Sequence, residues 1–315
     1  MEQDDNSQML NKQQVEQLIA RRLAQHRPAV WEDDISRYAL DDEPFENGPP
    51  AIELLGTQKK YGNTELTDEE LKVFAARDSA PIPGIADREG YGSNRDLSYW
   101  ISGLNDYLKV IELAENKKVS IDRMLDFGCA SGRVVRHFAS QSLKGEFWCS
   151  DLNARHIRWL SEYMPKSVKP IANHALPHLP VCDGYFDLVT AFSVFTHIDT
   201  FELCWLAELK RMLKAGGLVY ATIHNEDTWH LLRDELDNEN NRLVQAMLNV
   251  DPDCRQKLLD EMPSGKTVYR FTDRGPYRAH VFHSNSYIEN VWGRFFDIDE
   301  IRPCDHARQS VVVMR

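Results

Sequence analysis

Short apolar segments and amphipathic segments alternate along the chain from about residue 94 to its end. Apolar residues dominate the segment that ends at Asp126 and the segment Leu218–Ile223, which predicts buried strands. Asp96–Glu115 and Phe201–Leu213 instead carry their apolar residues at helical spacing. Strands that alternate with helices in this way predict a parallel sheet with right-handed crossovers, and therefore an α/β fold.

The last third of the sequence predicts an insertion and an antiparallel end. Phe295–Ile298 and Ser310–Met314 predict a final antiparallel pair of strands, preceded by a helix that begins near Asn285. Before that helix lies Glu226–Phe282, a long segment with helical stretches and a hairpin-like pattern. Because it is inserted at the edge where ligands bind in open α/β sheets, we expect it to form a lid over a substrate.

Residues 1–93 have a different pattern. Gln13–Gln25 predicts a short amphipathic helix, and a capping box formed by Thr67 and Glu70 predicts the start of a second helix. Turn-rich segments with proline and glycine follow each of them. We interpret residues 1–93 as a capping or dimerisation arm, and residues 94–315 as the main domain with residues 226–282 as its lid.

Composition and charge exclude several classes of protein. The 315 residues carry a formal charge of −12 without a basic run, which argues against a nucleic-acid-binding protein. The six cysteines form no C-x-x-C pair and do not cluster with histidines, so we expect free thiols and no metal site. No apolar segment has the length of a membrane span, and the acidic N-terminus is unlike a signal peptide. We therefore expect a cytoplasmic protein without a membrane partner.

The main chemical signal is a glycine-rich turn after the first strand of the main domain. Asp126 ends that strand, and Gly128 and Gly132 lie in a turn that leads into an amphipathic helix. Glycines and the start of a helix offer a ligand close access to backbone N–H groups, and a carboxylate beside them favours an ammonium or sulfonium over a pyrophosphate. Asp151 ends the next strand, where an acid accepts hydrogen bonds from ribose hydroxyls. Since the dinucleotide fingerprint G-x-G-x-x-G is absent, the turn indicates a zwitterionic nucleoside rather than NAD.

These features together resemble the class I S-adenosylmethionine-dependent methyltransferases. Asp126, Gly128 and Gly132 match the first motif of that family, with Ala130 in the place of its middle glycine, and Asp151 matches its ribose-binding acid. The resemblance covers residues 94–315 and implies a doubly wound, mostly parallel sheet of seven strands with an antiparallel last strand. It also implies S-adenosyl-L-methionine as the cofactor. The residues expected to bind it are Asp126, Gly128, Cys129, Ala130, Gly132, Asp151, Leu152, Asn173, His174, Phe192 and Ser193.

Two segments are expected to complete the cofactor site. Asn173 or His174, in the loop after the third strand, is the expected contact of the adenine ring because this loop flanks the pocket on its ribose side. Members of the family close the segment before the long helix over the cofactor. The resemblance therefore makes Tyr91 and Arg95 candidate contacts.

Candidate catalytic groups follow from the chemistry of methyl transfer. The acceptor must be aligned with the methyl group, and a hydroxyl acceptor must lose its proton, for which histidine is suited by its near-neutral pKa. His197 and His224, after the fourth and fifth strands, are the first candidates for this base, followed by His283 and then His306. Asp187 enters its strand from the far end, which indicates structural pairing and not metal binding.

The sequence leaves the methyl acceptor open. The plainest function is O-methylation of a small molecule or a sugar-containing metabolite, with a homodimer as one expected assembly. The alternatives are a methyltransferase of a protein side chain or a glycan end, a cofactor-binding domain without catalysis that acts in an assembly, and a nucleotide-dependent oxidoreductase. Intact Asp126 and Asp151 argue against lost cofactor binding, and the missing dinucleotide fingerprint argues against the oxidoreductase.

Overall fold

The computed structural model describes residues 43–56, 64–92, 95–141, 144–251, 253–270 and 279–315. The helix predicted at Gln13–Gln25 lies outside them. The first elements in chain order are β1 (Gly48–Pro50), α1 (Ala51–Leu54), α2 (Asp68–Ala75), β2 (Pro81–Ile82), α3 (Asp96–Asn116), β3 (Arg123–Phe127), α4 (Val135–Gln141), β4 (Glu146–Asp151), α5 (Ala154–Tyr163), β5 (Val168–Ala172) and β6 (Phe186–Ala191). They are followed by α6 (Glu202–Met212), β7 (Leu213–Ile223), α7 (Glu226–Asp234), α8 (Arg242–Val250), α9 (Cys254–Leu259), β8 (Lys266–Arg270), β9 (Ala279–His283), α10 (Asn285–Val291), β10 (Ile298–His306) and β11 (Gln309–Met314).

Seven of these strands form the central sheet, in the order β10, β11, β7, β6, β3, β4, β5. The strands β3 to β7 pair in parallel, and β11 pairs antiparallel with both β7 and β10. The chain runs outward from β3 in both directions, so the strand order reverses between β3 and β6. The doubly wound, mostly parallel sheet with an antiparallel last strand is therefore confirmed, and its ligand-binding edge lies at the carboxyl ends of the parallel strands.

Two apolar clusters pack on opposite faces of the sheet. Successive strand residues contribute to opposite clusters, because side chains alternate between the two faces of a strand. Met124 and Tyr220 belong to one cluster, and their neighbours Leu125 and Ala221 belong to the other. The helices α3, α4 and α5 cover the first face, and α6 and α10 cover the second. Strands buried on both faces explain why the sequence shows continuous apolar runs instead of alternation.

The insertion between β7 and α10 has an apolar core of its own. Trp229, Val244 and Met247 from its helices pack with Phe282 of β9. It is joined to the sheet by the backbone, since His283 N donates to the His224 carbonyl oxygen at 2.8 Å. The predicted hairpin is present as the antiparallel pair of β8 and β9. The insertion lies beside the carboxyl ends of β6 and β7, at the edge where a lid was expected.

The described part of the N-terminal segment packs on the main domain. The predicted capping box is present: Thr67 Oγ1 accepts from Glu70 N at 3.3 Å, and Thr67 N donates to Glu70 Oε2 at 2.8 Å. Buried Asp78 forms an ion pair with Arg136 of α4 at 2.7 Å. No helix within the described residues has the length and apolar character that a membrane crossing requires.

Two boundaries differ from the sequence prediction. The helix expected directly after Gly132 begins at Val135, because residues 131–134 form turns. The strand expected at Leu218–Ile223 begins at Leu213, which pairs with Phe186 of β6. The turn at Gly216, with φ of +79°, is accommodated within that strand as an irregularity in pairing.

Candidate active site

The turn after β3 has left-handed backbone at alternate residues. The φ angles are +74° at Gly128, +45° at Ala130 and +78° at Gly132. A Cβ atom on Gly128 would lie 2.3 Å from Val194 Cγ2, so the close approach of the loop after β6 requires glycine there. A Cβ atom on Gly132 would lie 2.6 Å from Leu160, which shows that this glycine packs the turn against α5. Ala130 thus adopts left-handed backbone, which is uncommon for a residue with a Cβ.

Asp151 holds this turn in place. Its carboxylate is buried and accepts hydrogen bonds from Ala130 N and Asn153 N, both at 2.8 Å. Burial raises the pKa of Asp151. A carboxylate that binds the left-handed residue directly offsets the strain at Ala130.

Asp126 lies deeper in the sheet than Asp151. Its carboxylate accepts from Thr190 Oγ1 at 2.9 Å and from Val135 N, the first residue of α4, at 3.2 Å. Burial raises the pKa of Asp126 to about 6, although these hydrogen bonds favour the ionised form. It therefore orders the start of α4 in addition to facing a cavity.

A cleft opens at the carboxyl ends of β3 to β6, beside a small cavity. Of the predicted cofactor contacts, those that line the cleft are Gly128, Ala130, Asp151, Leu152, Asn173, Phe192 and Ser193. Asp126 and Cys129 line the small cavity together with Arg88 and Arg133. Gly132 and His174 line neither. Tyr91, Gly128, Ala130 and Phe192 line both spaces, so the cleft and the small cavity meet beside the glycine turn, between the side chains of Tyr91 and Phe192.

A segment of the N-terminal extension covers part of the cleft. We call residues 85–92 the strap, and Glu89 and Tyr91 of the strap line the cleft. The strap is held by Asp87, which forms an ion pair with Arg155 at 2.6 Å, and by Glu89, whose Oε1 lies 2.6 Å from His156 Nε2. Arg95, the other predicted contact, is exposed and does not line the cleft. The boundary predicted at residue 93 thus separates the strap from the domain whose site it helps to form.

Asn173 has an acceptor atom available in the cleft. Its Nδ2 donates to the His174 carbonyl oxygen at 2.9 Å. Its Oδ1 is buried and has no hydrogen-bond partner among the described residues. Buried polar atoms normally have partners, so this oxygen fits a ligand that brings a donor, such as an exocyclic amino group. Of the two adenine candidates, the geometry favours Asn173.

The three histidines ranked first as bases occupy different surroundings. His197 is half-buried, lines the cleft and donates from Nδ1 to the Ala279 carbonyl oxygen at 2.8 Å. His224 is buried outside the cleft lining, with its ring against that of Phe282. Burial lowers the pKa of both histidines. The structure therefore brings His197, but not His224, to the cleft.

His283 is withdrawn from the cleft as well. It is fully buried, and its Nε2 lies 3.2 Å from Glu202 Oε1. Glu202 also accepts from Trp292 Nε1 at 2.5 Å and pairs with Lys266 at 2.7 Å. The expected catalytic role of His283 conflicts with this position, because the strand β9 turns its side chain toward α6 and α10 and away from the site.

Asp187 has the structural pairing that its position predicted. Its carboxylate accepts from Asp122 N at 3.1 Å and Arg123 N at 2.8 Å, and it forms an ion pair with Lys214. In the described ranges, no group of three or more His, Cys, Asp or Glu side chains is arranged to hold a metal ion.

Known proteins match the part of the chain that builds the cleft. A family model described as a methyltransferase domain matches residues 125–221, from β3 to β7. A ubiquinone/menaquinone biosynthesis C-methyltransferase of Cupriavidus metallidurans is 32% identical over 123 residues, which are 37% of this chain and 49% of that protein. A malonyl-(acyl-carrier protein) O-methyltransferase of Geobacter sulfurreducens is 26% identical over 126 residues, 40% of this chain and 47% of that protein.

A solved structure of an S-adenosylmethionine-dependent methyltransferase from Methanosarcina mazei covers 64% of this chain and 95% of its own, at 17% identity and a TM-score of 0.44. The chain spans about half the length of the curated relatives that it matches. The matched residues contain the glycine turn, Asp151 and Asn173.

The match of residues 125–221 to a methyltransferase domain agrees with the resemblance of the sequence to the class I S-adenosylmethionine-dependent methyltransferases, and with S-adenosyl-L-methionine as the cofactor that this resemblance implies. The described residues fit this cofactor, because Asp151 and Asn173, whose buried Oδ1 has no partner among them, line one cleft and the small cavity beside it carries charges of both signs.

The structure also contains a hydrogen-bonded chain that joins the strap, α3 and β10. His306 Nδ1 lies 3.0 Å from Asp106 Oδ1, and His306 Nε2 lies 3.3 Å from Tyr91 Oη. Tyr91 Oη is 2.8 Å from Ser193 Oγ at the end of β6. Arg133 pairs with Asp106 at 2.5 Å and stacks over the Tyr91 ring, 4.0 Å from its centroid.

From the sequence, His306 was the fourth candidate for the base, and Asp106 was not a candidate for any role. One signal was present, since Asp106 falls on the buried face of α3 between Gly103 and Val110. A charged residue on a buried helix face requires a partner, but the pattern does not name it. His306 is 200 positions away in the sequence.

Proposed function

We propose that this methyltransferase transfers the methyl group of S-adenosyl-L-methionine to an oxygen atom of a small, mostly apolar molecule. The observation that carries the proposal is the junction at Tyr91 and Phe192, where a charged small cavity meets a largely apolar cleft. A cofactor with an amino-acid end and a nucleoside end would place its sulfonium between the two spaces. The junction then receives the methyl group, and hydroxyl groups of Tyr91 and Ser193 flank it.

The side chains fit the parts of the cofactor in order. Asp151 would accept hydrogen bonds from the ribose hydroxyls, and Asn173 Oδ1 would accept from the adenine amino group. Asp126 suits the ammonium group of the methionine end, and Arg88 and Arg133 suit its carboxylate. The cofactor supplies a methyl group that the positive sulfur already activates, so the protein's part is alignment and proton removal.

The region near the lid is the proposed acceptor site. The part of the cleft toward β9 is lined by His197, Ile198 and Thr200. Apolar walls with few polar groups are typical of small-molecule sites. An acceptor oxygen that enters from this side would reach the Tyr91 and Ser193 hydroxyls.

Transfer to carbon is the second candidate. The Cupriavidus metallidurans relative is named as a C-methyltransferase, and the Geobacter sulfurreducens relative as an O-methyltransferase. Transfer to carbon and transfer to a hydroxyl oxygen both need the acceptor to lose a proton. Incubating the protein with methyl-labelled cofactor and a panel of small phenols, alcohols and carboxylic acids, with products analysed by NMR, separates them: an O-methyl product supports the proposal and a C-methyl product contradicts it.

Cofactor binding can be tested without an acceptor. We expect S-adenosylhomocysteine to bind, and Asp151→Ala to weaken it by about 1.5–3 kcal/mol, or roughly 10- to 150-fold in Kd, as a hydrogen-bonding charged group is lost. Asp183→Ala is the matched control, because Asp183 is 83% exposed and lies before β6, away from the cleft. Isothermal calorimetry measures the binding of S-adenosylhomocysteine to wild type and to both variants, and the binding of NAD to wild type. Tight NAD binding, or equal affinities for wild type and Asp151→Ala, would contradict the assignment.

A further inference from the structure

We propose that Tyr91 accepts the proton of the methyl acceptor, and that His306, positioned by Asp106, receives the proton of Tyr91 in turn. This inference rests on the proposed methyl transfer and assigns its base. It differs from the sequence ranking, in which a histidine after β6 or β7 performs this step directly.

The first argument is the fixed tautomer of His306. Asp106 Oδ1 accepts from His306 Nδ1 at 3.0 Å, which leaves Nε2 as an acceptor 3.3 Å from Tyr91 Oη. Burial alone would raise the pKa of Asp106, but Arg133 and His306 outweigh burial and hold that pKa at about 2. The carboxylate is therefore ionised near neutral pH, and it stabilises an imidazolium when one forms.

The second argument is the location of the Tyr91 hydroxyl. Tyr91 lines both the cleft and the small cavity, and its Oη lies 2.8 Å from Oγ of Ser193, another residue of the cleft lining. The Arg133 guanidinium lies 4.0 Å from the centroid of the Tyr91 ring and fixes the ring from one face. Tyr91 thus lines the cleft and is connected through His306 to the buried carboxylate of Asp106.

The third argument concerns Ser193, which follows β6 and contacts the Tyr91 hydroxyl. Ser193 Oγ lies 2.8 Å from Tyr91 Oη and 3.0 Å from Gln309 Oε1. Thr222 Oγ1 accepts from Ser193 N at 2.7 Å. These bonds hold Ser193 in a left-handed conformation, with φ of +57°. Strained backbone that is held by several bonds is characteristic of functional sites, and here it fixes the position of the Tyr91 oxygen.

His197 is the alternative base and lacks these features. Its Nδ1 donates to a backbone carbonyl, that of Ala279, and burial lowers its pKa. A neutral carbonyl stabilises an imidazolium less than a carboxylate does. At Nδ1, His197 therefore has a backbone carbonyl where His306 has the Asp106 carboxylate, and this difference favours His306 as the group that receives the proton.

The proposed step conserves atoms and charge. A lone pair of the acceptor oxygen forms the bond to the methyl carbon, and the carbon–sulfur bond breaks with its electron pair left on sulfur. Tyr91 Oη takes the acceptor proton while its own proton moves to His306 Nε2. The positive charge of the sulfonium ends on His306, beside Asp106, and the proton leaves to solvent after product release.

The kinetic test uses the full chain and the acceptor found in the panel described above. We expect Tyr91→Phe to lower kcat about 10²- to 10³-fold and His306→Gln about 10- to 10²-fold, with the Kd of S-adenosylhomocysteine unchanged within about threefold. Tyr185→Phe is the matched control, since Tyr185 also donates to a carboxylate, that of Glu146 at 2.5 Å, at the opposite edge of the sheet. His197→Gln tests the alternative base.

A second readout needs no acceptor. NMR of the protein labelled with ¹⁵N-histidine reports which ring nitrogen carries the proton. We expect His306 in the Nδ1–H form, and a shift of its Nε2 resonance in Tyr91→Phe. His178, with 78% of its side chain exposed, is the internal control and should not change.

The outcomes separate this inference from the proposed function. Near-wild-type kcat in Tyr91→Phe, a larger loss in His197→Gln than in Tyr91→Phe, or an Nε2–H form of His306 would each overturn the inference. In those cases S-adenosylhomocysteine still binds. Failure of wild type to bind S-adenosylhomocysteine would instead overturn the proposed function.

Discussion

Two groups of histidines flank the cleft, and they differ in what lies beside them. His306 is held between a buried carboxylate and a tyrosine hydroxyl. The rings of His197 and His224 both lie beside that of His280, with ring centroids 5.4 Å and 6.1 Å from it, respectively. Burial lowers the pKa of all three, that of His280 to about 3. The comparison teaches that the groups beside a histidine, as well as its distance from the cleft, bear on its suitability as a proton acceptor.

His283 allows the strongest test of this comparison, because it has a carboxylate partner but no access to the cleft. Replacing Glu202 by alanine would leave His283 and Lys266 without that carboxylate and Trp292 Nε1 without its acceptor. Breaking a buried ion pair in this way is expected to cost about 3–5 kcal/mol of unfolding free energy. Urea denaturation at pH 7.5 measures it.

Two variants complete this test. Glu202→Gln keeps an acceptor for Trp292 and should lose less stability than Glu202→Ala. Glu162→Ala removes an exposed pair with Arg158 and should change stability by less than about 1 kcal/mol. A loss below 1 kcal/mol in Glu202→Ala would show that the His283 pair is not structural.

The neighbouring histidines His197, His224 and His280 predict a pH dependence of the free energy of unfolding. Because folding lowers their pKa below about 6.5, the unfolded state binds more protons between pH 6.5 and the folded values, and stability falls as the pH drops below about 6.5. Each fully shifted histidine contributes about 1 kcal/mol between pH 7 and pH 5.5. The raised pKa of Asp126 acts in the opposite direction over this range.

A difference measurement isolates the histidine contribution. His280→Phe should lose less stability than wild type between pH 7 and pH 5.5, because it lacks one histidine that is protonated more readily in the unfolded state. The contribution of Asp126 is the same in both proteins and cancels in the difference. Thermal and urea unfolding at both pH values measure this. Equal losses in the two proteins would mean that His280 is protonated as readily in the folded state as in the unfolded one.

A third test asks whether His224 has a catalytic part. His224→Phe conserves most of the ring volume and keeps the contact with Phe282, where the ring centroids are 5.0 Å apart. We expect kcat and the Kd of S-adenosylhomocysteine to stay within about threefold, or roughly 0.7 kcal/mol. A loss of 10²-fold in kcat with intact cofactor affinity would place the base at the end of β7 and reverse the comparison.

The parts predicted from the sequence were those that depend on local patterns. Buried strands, the capping box at Thr67 and the glycine turn each need only a few neighbouring residues, and the right-handed crossovers between parallel strands follow from chirality. The carboxyl ends of the strands then placed Asp151, Asn173 and Ser193 at one edge. This explains why the fold and one wall of the candidate cofactor site were accessible from sequence.

The base was not accessible in the same way. Strand order places backbone at the edge of the sheet, but it does not show where a side chain points or which distant residue it meets. His224 ends the correct strand, yet it is buried outside the cleft, whereas His306 meets Asp106 across 200 positions. No motif fixed the register of the segment around Tyr91, so its approach to Ser193 could be seen only in the structure.

The smallest expected effect concerns the turn after β3, where Ala130 combines strained backbone with a small side chain. Ala130 has φ of +45°, which costs a residue with a Cβ about 1–2 kcal/mol relative to glycine. Ala130→Gly would remove that cost but add about 0.4–1 kcal/mol of unfolded-state freedom, for a net gain of about 0.5 kcal/mol. Thermal unfolding should show a midpoint higher by about 1–2 °C, with S-adenosylhomocysteine affinity retained. Ala172→Gly, at an exposed position of β5, is the control of opposite sign. If both substitutions lower stability equally, the hydrogen bond from Ala130 N to Asp151 already offsets the whole cost of the turn.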